Sequence, residues 1–596
     1  MSPTAECRST RLRDVLCVAL ACAIAGVSAP ARAQAPSCAW GDGVALPGVD
    51  GREALITDDG AAGVVAVVWT AGGSGLPSQN QLRFFHVLEQ GRLDPSLPAD
   101  GVLLVNGGVD VPERPELAAL RILADGQGGA YILFTNCNST TAHMRCYELA
   151  DMRLLHVTAA GTPAPGWPAL GLLFDPAPGI YVDPRRTIDI VLDGGSGPGA
   201  PSGVIVAWVP YGATVPVLAQ RFAPDATPYW PGGTSGTMAL DAQPSRGYVA
   251  LSADHAGGCV VVTQQLMNTP ATQVELRAGR VSSTGTSLWT TAGKPVFSVP
   301  NYASSSATVA TDALGRSFVG FLMFPTPTGL PHWLTQLLTP AGARAWGLFG
   351  IELGLNAFTS AGSTALAGPS GFVSMHTDPD GSPRFQLEDE FGTTYWAGAD
   401  GIPAGWASPP VPQVPLLSAD GHLISLFPST DAVTSGVRAI ELDEGGDVAP
   451  GWPADGVSIC AGVPGQYVTG AMVNDGHVFV AVGGGYGAPV VVQRLSRSVL
   501  EAGADLPGRP LEFSPPAPNP SRGDWVVRLA LRAESRTTLE AFDVAGRRAL
   551  TTDLGTLTAG RHALAVPGGA SLPPGVYRVR VRAGAFAAER ALVRVR

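Results

Sequence analysis

An internal repeat runs through most of the chain and constrains its fold more than any other sequence feature. An eleven-residue template with a tight turn occurs in three clear copies, at Gly91–Gly101, Gly161–Gly171 and Gly446–Gly456. A second element, an Asp/Gly turn that runs into an apolar strand, occurs eight times at intervals of 49 to 78 residues. These turns lie at Asp59, Asp125, Gly203, Asp254, Asp312, Gly371, Asp420 and Asp475. Each unit therefore supplies several short strands and a turn.

Units of roughly 40 to 60 residues with this content are typical of the blades of a β-propeller. We expect eight blades, with seven as the close alternative, and an open solenoid or an array of β-sandwiches as the other architectures. The segment after Trp40 resembles the one after Trp452, so the N-terminal piece is expected to complete the last blade. That closure hides the sheet edges. The recurrent tryptophans are interpreted as packing residues at Trp167, Trp230, Trp289, Trp346, Trp396 and Trp452.

The composition agrees with an all-β protein and excludes one class of partner. The chain has 75 glycines and 52 prolines, and only 15% of its residues are charged. Residues 513–596 carry 13 arginines against 6 acidic residues, although the whole chain has a net charge of −11. The body is therefore acidic, and an acidic body does not suit nucleic acid, which needs a basic surface.

The N-terminus has the pattern of a secretory signal peptide over residues 1–33. Arg8, Arg11 and Arg13 precede an apolar run from Val15 to Val27, and Ala31-Arg32-Ala33 offers a cleavage site. The apolar run is too short to remain as a membrane anchor, and no later stretch reaches the roughly 18 apolar residues of a transmembrane helix. We therefore expect an exported bacterial protein without a transmembrane segment in the mature chain, located outside the cell or on its surface.

Export makes disulfide formation possible for the five cysteines that follow the signal peptide. Cys137 and Cys146 flank a short polar segment, and we expect them to staple a hairpin. A bond between Cys38 and Cys460 would be compatible with ring closure. Cys259 lies in an apolar run and is expected to be a buried, inert thiol.

The C-terminus is expected to form a separate domain. The repeat body is assigned to residues 34–505, a proline-rich linker to 506–520 and a small β-sandwich to 521–596. Tyr577, Val579 and Val581 alternate with Arg578, Arg580 and Arg582, so the apolar set and the arginines fall on opposite faces of a strand.

Short motifs in this domain follow the order of a known family. They are Pro518-Asn519-Pro520, Phe542-Asp543-Val544-Ala545-Gly546-Arg547, Gly560-Arg561-His562, Gly575-Val576-Tyr577, and a final segment that contains Arg590 and Arg594. The domain resembles the C-terminal sorting domain of the type IX secretion system, or its relative the FlgD-type immunoglobulin-like domain. The resemblance covers about 80 residues and implies recognition by outer-membrane secretion machinery. From the residues themselves, Gly546, Gly560 and Gly575 are expected at positive φ in turns, and Tyr577 in the core.

No motif of known chemistry stands out in the body, and no catalytic, metal or cofactor site is predicted. His422 and His477 occupy matching turns, and His255 follows Asp254, so they could meet on one ring, although a polar turn residue is the simpler interpretation. Ser252-Ala253-Asp254 and Ser418-Ala419-Asp420 resemble the start of a sialidase Asp-box but lack its aromatic residue. Asp378-Pro379-Asp380-Gly381 could ligate calcium or form a plain turn.

The sequence thus predicts an exported propeller protein that acts as a binding or structural module, with a polysaccharide or a protein as its ligand. The alternative is an extracellular propeller enzyme, a glycosidase or a lyase, that acts on a polysaccharide. Carboxylate pairs for such an enzyme are recognised only by their separation in space.

Overall fold

The computed structural model describes most of the repeat body and most of the C-terminal domain. The described residues are 36–47, 53–69, 81–110, 116–137, 151–174, 188–194, 202–209, 216–241, 249–266, 274–325, 330–355, 364–368, 371–377, 383–396, 402–403, 414–418, 421–428, 437–443, 446–454, 456–459, 467–474, 477–483, 490–496, 511–513, 521, 525–531, 535–544, 546–557, 560–566, 568–584 and 586–595. The expected signal peptide, residues 1–33, lies outside them. Contacts divide the described chain between a unit within Pro36–Arg497 and a unit within Ser498–Arg596.

The first unit starts with two short strands and continues as a series of antiparallel sheets. The leading strands are β1 (Ser37–Cys38) and β2 (Val44–Leu46). Blade 1 contains β3 (Glu53–Asp58), β4 (Val64–Trp69), β5 (Gln81–Leu88), β6 (Arg92–Leu93) and β7 (Val102–Asn106), followed by a four-residue helix α1 (Gly107–Asp110). Blade 2 contains β8 (Glu116–Ala124), β9 (Ala130–Cys137), β10 (Asp151–Val157) and β11 (Leu172–Phe174).

Each of the next six blades repeats the same order of strands. Blade 3 contains β12 (Ile188–Leu192), β13 (Val204–Trp208), β14 (Val217–Phe222) and β15 (Thr237–Leu240), and blade 4 contains β16 (Ala250–Ala253), β17 (Cys259–Leu266), β18 (Val274–Val281) and β19 (Lys294–Phe297). Blade 5 contains β20 (Tyr302–Thr311), β21 (Ser317–Pro325), β22 (His332–Leu338) and β23 (Ile351–Leu355). Blade 6 contains β24 (Thr364–Gly368), β25 (Gly371–Thr377), β26 (Pro383–Glu388) and β27 (Ile402–Pro403). Blade 7 contains β28 (Val414–Leu417), β29 (Leu423–Pro428), β30 (Val437–Leu442) and β31 (Val457–Ile459), and blade 8 contains β32 (Tyr467–Asn474), β33 (His477–Gly483) and β34 (Val490–Ser496).

The first strands of the blades form a closed inner ring. Strands β3, β8, β12, β16, β20, β24, β28 and β32 contact one another in this order, and β32 contacts β3. The sheets therefore radiate from a common centre, and the body is a β-propeller, as the repeat predicts. Within the described residues eight first strands form this ring, and one parallel pair, Val274 opposite Ala303, joins the sheets of blades 4 and 5.

The N-terminal strands close this ring. Strand β1 pairs with β34 through Ser37 opposite Ser496, and β2 pairs with the same strand through Val44 opposite Val492. Both pairings are antiparallel, so the last blade takes its fourth strand from the start of the chain. This confirms the predicted completion of the last blade, and it covers the outer edge of β34.

Apolar side chains fill the spaces between neighbouring blades. Val65, Val67 and Phe84 of blade 1, for example, form a buried cluster with Ile132 and Phe134 of blade 2. The central strands read as continuous apolar runs, such as Val64–Trp69, because both of their faces are covered.

Tryptophan residues join a blade to the next one in five places and confirm the packing interpretation. The indole Nε1–H donates to a backbone carbonyl of the following blade at 2.8 to 3.2 Å in five cases. The donor and acceptor pairs are Trp40 and Glu89, Trp167 and Pro224, Trp230 and Ser283, Trp289 and Pro340, and Trp346 and Glu390. In four blades a third-strand glutamine also accepts a bond from the tryptophan backbone N–H: Gln220, Gln336, Gln386 and Gln493.

The C-terminal unit is a two-sheet β-sandwich. One sheet contains β35 (Leu511–Phe513), β36 (Val526–Leu531) and β39 (Gly560–Ala565). The other contains β37 (Ser535–Asp543), β38 (Arg548–Leu557), β40 (Gly575–Ala583) and β41 (Phe586–Arg594). Their apolar faces enclose a core that includes Phe513, Trp525 and Tyr577.

This sandwich begins earlier than the sequence pattern predicts. Leu511–Phe513 pairs with β36 as an edge strand, so the expected linker over residues 506–520 is wrong for this part. The apolar Phe513 is buried in the core, and the densest run of prolines, Pro515 to Pro520, follows the strand. Pro518, Asn519 and Pro520 lie outside the described residues.

The structure contradicts one of the expected cysteine pairings. Cys38 is a free thiol whose Sγ lies 3.8 Å from the Ser458 carbonyl oxygen, so the predicted bond to Cys460 is not formed. Backbone pairing of β1 with β34 holds this segment without a disulfide. Cys146 and Cys460 lie outside the described residues. Cys259 is buried as predicted, and burial raises the pKa of its thiol.

Candidate functional site

The inner ring carries its charged side chains in the first three blades. Arg121 of β8 and Asp189 of β12 form an ion pair between neighbouring blades, with 3.1 Å from Nε to Oδ1. The Arg121 side chain is 56% exposed, so solvent and ligands can reach its guanidinium. The first strands of blades 4 to 8, as described, consist of uncharged residues. This pair is an accessible charged feature of the described inner ring.

A second set of polar residues recurs between the turn after the first strand and the third strand. In blades 1 to 4 an aspartate carboxylate in this turn receives a hydrogen bond from a basic side chain on the third strand, at 2.8 to 3.3 Å. The pairs are Asp59 with His86, Asp125 with His156, Asp193 with Arg221, and Asp254 with Arg280. All four aspartates are buried.

The same aspartates fix the turn in which they lie. Oδ1 of Asp125 accepts bonds from the backbone N–H of Gln127 and Gly129, at 2.7 and 2.9 Å, while its Oδ2 faces His156. Asp59 and Asp254 make the corresponding contacts. One carboxylate thus accepts hydrogen bonds from the turn backbone and from the basic side chain of the third strand. The buried charge therefore has hydrogen-bond partners on both of its oxygens.

In two other blades, different residues form the charged contact at the turn after the first strand. In blade 5 the third strand has Leu337 at the matching position, and Arg316 of the turn itself donates to Asp312 at 2.6 Å. In blade 7 the order is reversed, because His422 in the turn contacts Glu441 on the third strand at 2.6 Å.

Several of these basic residues also contact the next blade. The second ring nitrogen of His156 lies 3.0 Å from the Pro224 carbonyl of blade 3. Arg494 of blade 8 donates to the Glu89 carbonyl of blade 1 at 3.2 Å. Through these contacts the basic residues stabilise the packing of neighbouring blades. Their hydrogen-bonding groups are used within the protein.

Sequence reasoning missed these pairs, although the signal was present. A basic residue stands directly before an apolar residue at the end of the third strand, as in His86-Val87, His156-Val157, Arg221-Phe222, Arg280-Val281 and Arg494-Leu495. An alignment of the units on this strand, rather than on the turns, would have shown it.

The histidines singled out from the sequence do not meet at one site. His422 contacts Glu441, His477 accepts a bond from Arg494 at 3.0 Å, and His255 contacts the Thr311 carbonyl at 2.8 Å. Ser418 Oγ accepts the His422 backbone N–H, which is a turn contact. Asp378–Gly381 lies outside the described residues. Within the part of the chain that the structure describes, no group of three or more potential metal ligands occurs.

In the C-terminal sandwich, the Asp543 motif forms the predicted hairpin turn. The backbone N–H of Gly546 donates to the Asp543 carbonyl at 2.9 Å, and Gly546 has φ of +77°. The Asp543 carboxylate accepts from the backbone and the guanidinium of Arg547 at 3.0 and 2.8 Å. Tyr577 is buried, and its Oη donates to the Pro573 carbonyl at 2.8 Å.

The other two glycines of the motif do not lie in turns. Gly560 is the first residue of β39, opposite Leu531, and Gly575 is the first residue of β40, opposite Arg594. Gly575 has no positive φ, so the expectation of a left-handed turn is wrong there. These glycines follow the turns that the sequence pattern suggested and already belong to the paired strands.

The final motif segment anchors the end of the chain. Arg594 is buried and donates from Nη1 to Ser521 Oγ at 2.8 Å. The backbone of Ser521 bonds to Val593 and Val595 on both sides. Arg590, in contrast, is exposed on β41.

Comparisons with known proteins give no family for this chain. No family model and no curated protein matches the sequence. Among solved structures, a PL25 ulvan lyase matches with 8% identity and a TM-score of 0.35 over 78% of this chain and 94% of its own. The polysaccharide lyase Uly1 matches with 9% identity and a TM-score of 0.32 over 76% of this chain and 91% of its own.

A fungal lectin from Aleuria aurantia, a six-bladed β-propeller, matches with 10% identity and a TM-score of 0.30 over 55% of this chain and 94% of its own. At these identities and TM-scores the matches assign no activity to the chain. Among the described residues, no helix is long and apolar enough to cross a membrane.

The His86 pair makes the stability of the propeller depend on pH. The hydrogen bond with Asp59 raises the pKa of His86, burial opposes this, and Asp94 on the other ring nitrogen adds to the rise. For Asp59, burial raises the pKa, but bonds from His86, Ala61 and Gly63 outweigh it and hold the pKa below its usual value. The stabilisation from charged His86 is therefore complete below about pH 6.5 and is lost as pH rises through its raised pKa.

We expect His86→Gln to lower the free energy of unfolding at pH 6 by about 2 kcal/mol or more, because Asp59 keeps a buried charge without its partner. The difference from wild type should shrink as pH rises toward 9. Urea unfolding across this pH range measures it, and His255→Gln, which loses only a contact to a carbonyl, is the control. A difference that stays constant with pH would contradict the assignment.

Proposed function

We propose that this protein is exported and delivered to the outer cell surface or the medium, and that its C-terminal sandwich is the sorting domain that directs this. The observation that carries the proposal is the sandwich itself. It folds with its own core, and the Asp543 turn, the buried Tyr577 and the anchored Arg594 give structural positions to the motifs that resemble a sorting domain. Its partner is outer-membrane secretion machinery.

We propose further that the propeller is the cargo and acts as a binding or structural module. Its recurrent acids and bases are buried and paired with one another, which supports a role in the fold rather than in catalysis. The Arg121–Asp189 pair on the inner ring is accessible and can form hydrogen bonds with a polar ligand. A polysaccharide with hydroxyl and carboxylate groups fits such a pair, and so does a polar protein segment.

Deletion of residues 506–596, with the rest of the chain intact, tests the sorting proposal. Strand β34 ends at Ser496, so the truncated chain retains every strand of the propeller. We expect the truncated protein to accumulate in the periplasm, and the surface or medium fraction to fall at least tenfold on fractionation of the native host. A fusion of residues 497–596 to a periplasmic reporter should move the reporter outward. Unchanged delivery of the truncated chain would refute the proposal.

Substitution on the inner ring tests the binding proposal. With the purified full-length chain on a glycan array and in surface pull-downs, we expect Arg121→Ala to weaken binding of the ligand about tenfold, as loss of a charge-assisted bond predicts. Arg92→Ala, on an exposed outer strand, is the matched control and should bind as wild type does. Release of shortened polymer, abolished by Asp189→Asn, would favour the extracellular enzyme instead.

A further inference from the structure

The interface between blades 5 and 6 differs from the other blade interfaces at one buried position. The third-strand residue at the position of Val87 is apolar in seven blades, where it packs toward the preceding blade: Val87, Val157, Phe222, Val281, Leu338, Leu442 and Leu495. In blade 6 this position is Glu388, which pairs with Phe372. A carboxyl group therefore lies where the fold otherwise places a hydrocarbon side chain.

Glu388 is completely buried and poorly partnered. Its side chain has 0% exposure, and neither of its carboxyl oxygens has a hydrogen-bond partner among the described residues. Thr335 approaches it from blade 5, but the Thr335 hydroxyl does not complete a bond within the described residues either. Burial raises the pKa of Glu388 to about 8, and Thr335 lowers it only in part. Near neutral pH the group is therefore a neutral acid.

Other polar groups face the same interface without partners. Ser374 lies on the same face of blade 6 as Phe372, and Thr308 and Thr335 flank Gly320 on the face of blade 5. The hydroxyls of all three, and the indole N–H of Trp333, have no hydrogen-bond partner in the part of the chain that is described. Buried polar groups in this state cost free energy. The apolar cluster that remains here consists of Phe318, Leu337 and Phe372.

Most charged groups around this interface are paired; Arg344, in the turn after β22, has no hydrogen-bond partner for its buried Nη1 within the described residues. Arg316, in the turn before β21, contacts Asp312 and Glu390 and lies 5.9 Å from the centre of the Phe372 ring. Asp389 accepts bonds from the backbone of Phe391 and Thr393 and from the Tyr395 hydroxyl. Arg384 stands four residues before Glu388 on the same strand and has a partner of its own. The first strands β20 and β24 have no charged residue.

We propose that the interface between blades 5 and 6 is a pH-sensitive seam of the ring, closed while the Glu388 carboxyl is neutral and opened locally when it becomes charged. In the closed seam the described residues offer the charged carboxylate no cation and no hydrogen-bond donor nearer than Thr335. When the two blades separate, water reaches the carboxylate, and its pKa returns toward the ordinary value. Rising pH therefore favours the open form, from about pH 4.5 up to the pKa of the buried group. Above that pKa the carboxyl is charged in both forms, and the effect levels off.

Hydrogen exchange of the full chain between pH 5 and 9 tests the seam. We expect the protection factors of amides in β21, β22, β25 and β26 to fall by up to about tenfold per pH unit until about pH 8. Protection in blades 2 and 3 should change much less. Glu388→Gln, which keeps the shape of the neutral acid, should abolish the pH dependence in these four strands. Asp42→Asn, which removes an exposed carboxyl before β2, is the control and should behave as wild type does.

Two further measurements keep the test decisive. Glu388→Leu restores the apolar residue type of the other blades and replaces the Gln variant if that variant folds poorly. We expect its protection factors in the four strands to be independent of pH as well. Infrared spectra of the chain with labelled glutamate should show a neutral carboxyl band at pH 6 that Glu388→Gln removes. Equal pH dependence in wild type and the Glu388 variants would overturn the proposal. So would loss of protection that is uniform across all eight blades, or a charged Glu388 at pH 6.

Discussion

The antiparallel pairing of β1 and β2 with β34 is the interaction on which the rest of the propeller depends. Eight blades around a ring need each sheet to contact two neighbours, and the last blade has only three strands of its own. Because β1 and β2 supply its outer strand, the two ends of the propeller are held together by backbone hydrogen bonds. The contact of β32 with β3 and the bond from Trp40 to the Glu89 carbonyl of blade 1 lie at this closure.

Hydrogen-bonded charged pairs and apolar side chains stabilise the ring at matching positions of several blades. An acid in the first turn and a base on the third strand recur, and where the base is missing another residue replaces it, as Arg316 does in blade 5 and His422 does in blade 7. Breaking such a pair leaves a buried charge, so these positions are costly to change. Blade 6 has Leu387 at the position of the base and carries the buried Glu388 next to it.

Much of this architecture was readable from the sequence, because repeats, turns and apolar strands are local patterns. The strand content, the completion of the last blade near Trp40, the packing role of the tryptophans and the burial of Cys259 all followed from such patterns. The ion pairs did not, since Asp125 and His156 are 31 residues apart and only the fold brings them together. Leu511–Phe513 was missed because three residues beside a proline-rich stretch give a weak strand signal, and Cys38 was paired on sequence position alone.

Cross-linking tests ring closure most directly. In a Cys38→Ser background, Ser37→Cys and Ser496→Cys place two thiols at directly paired positions of β1 and β34. Backbone pairing at this distance permits a disulfide. The account predicts an intramolecular bond between positions 37 and 496 on mild oxidation, identified by mass spectrometry of the digested chain. Ser37→Cys with Ser252→Cys on the inner strand of blade 4 should form none. Absence of the first bond, or equal yield from both pairs, would contradict the closed ring.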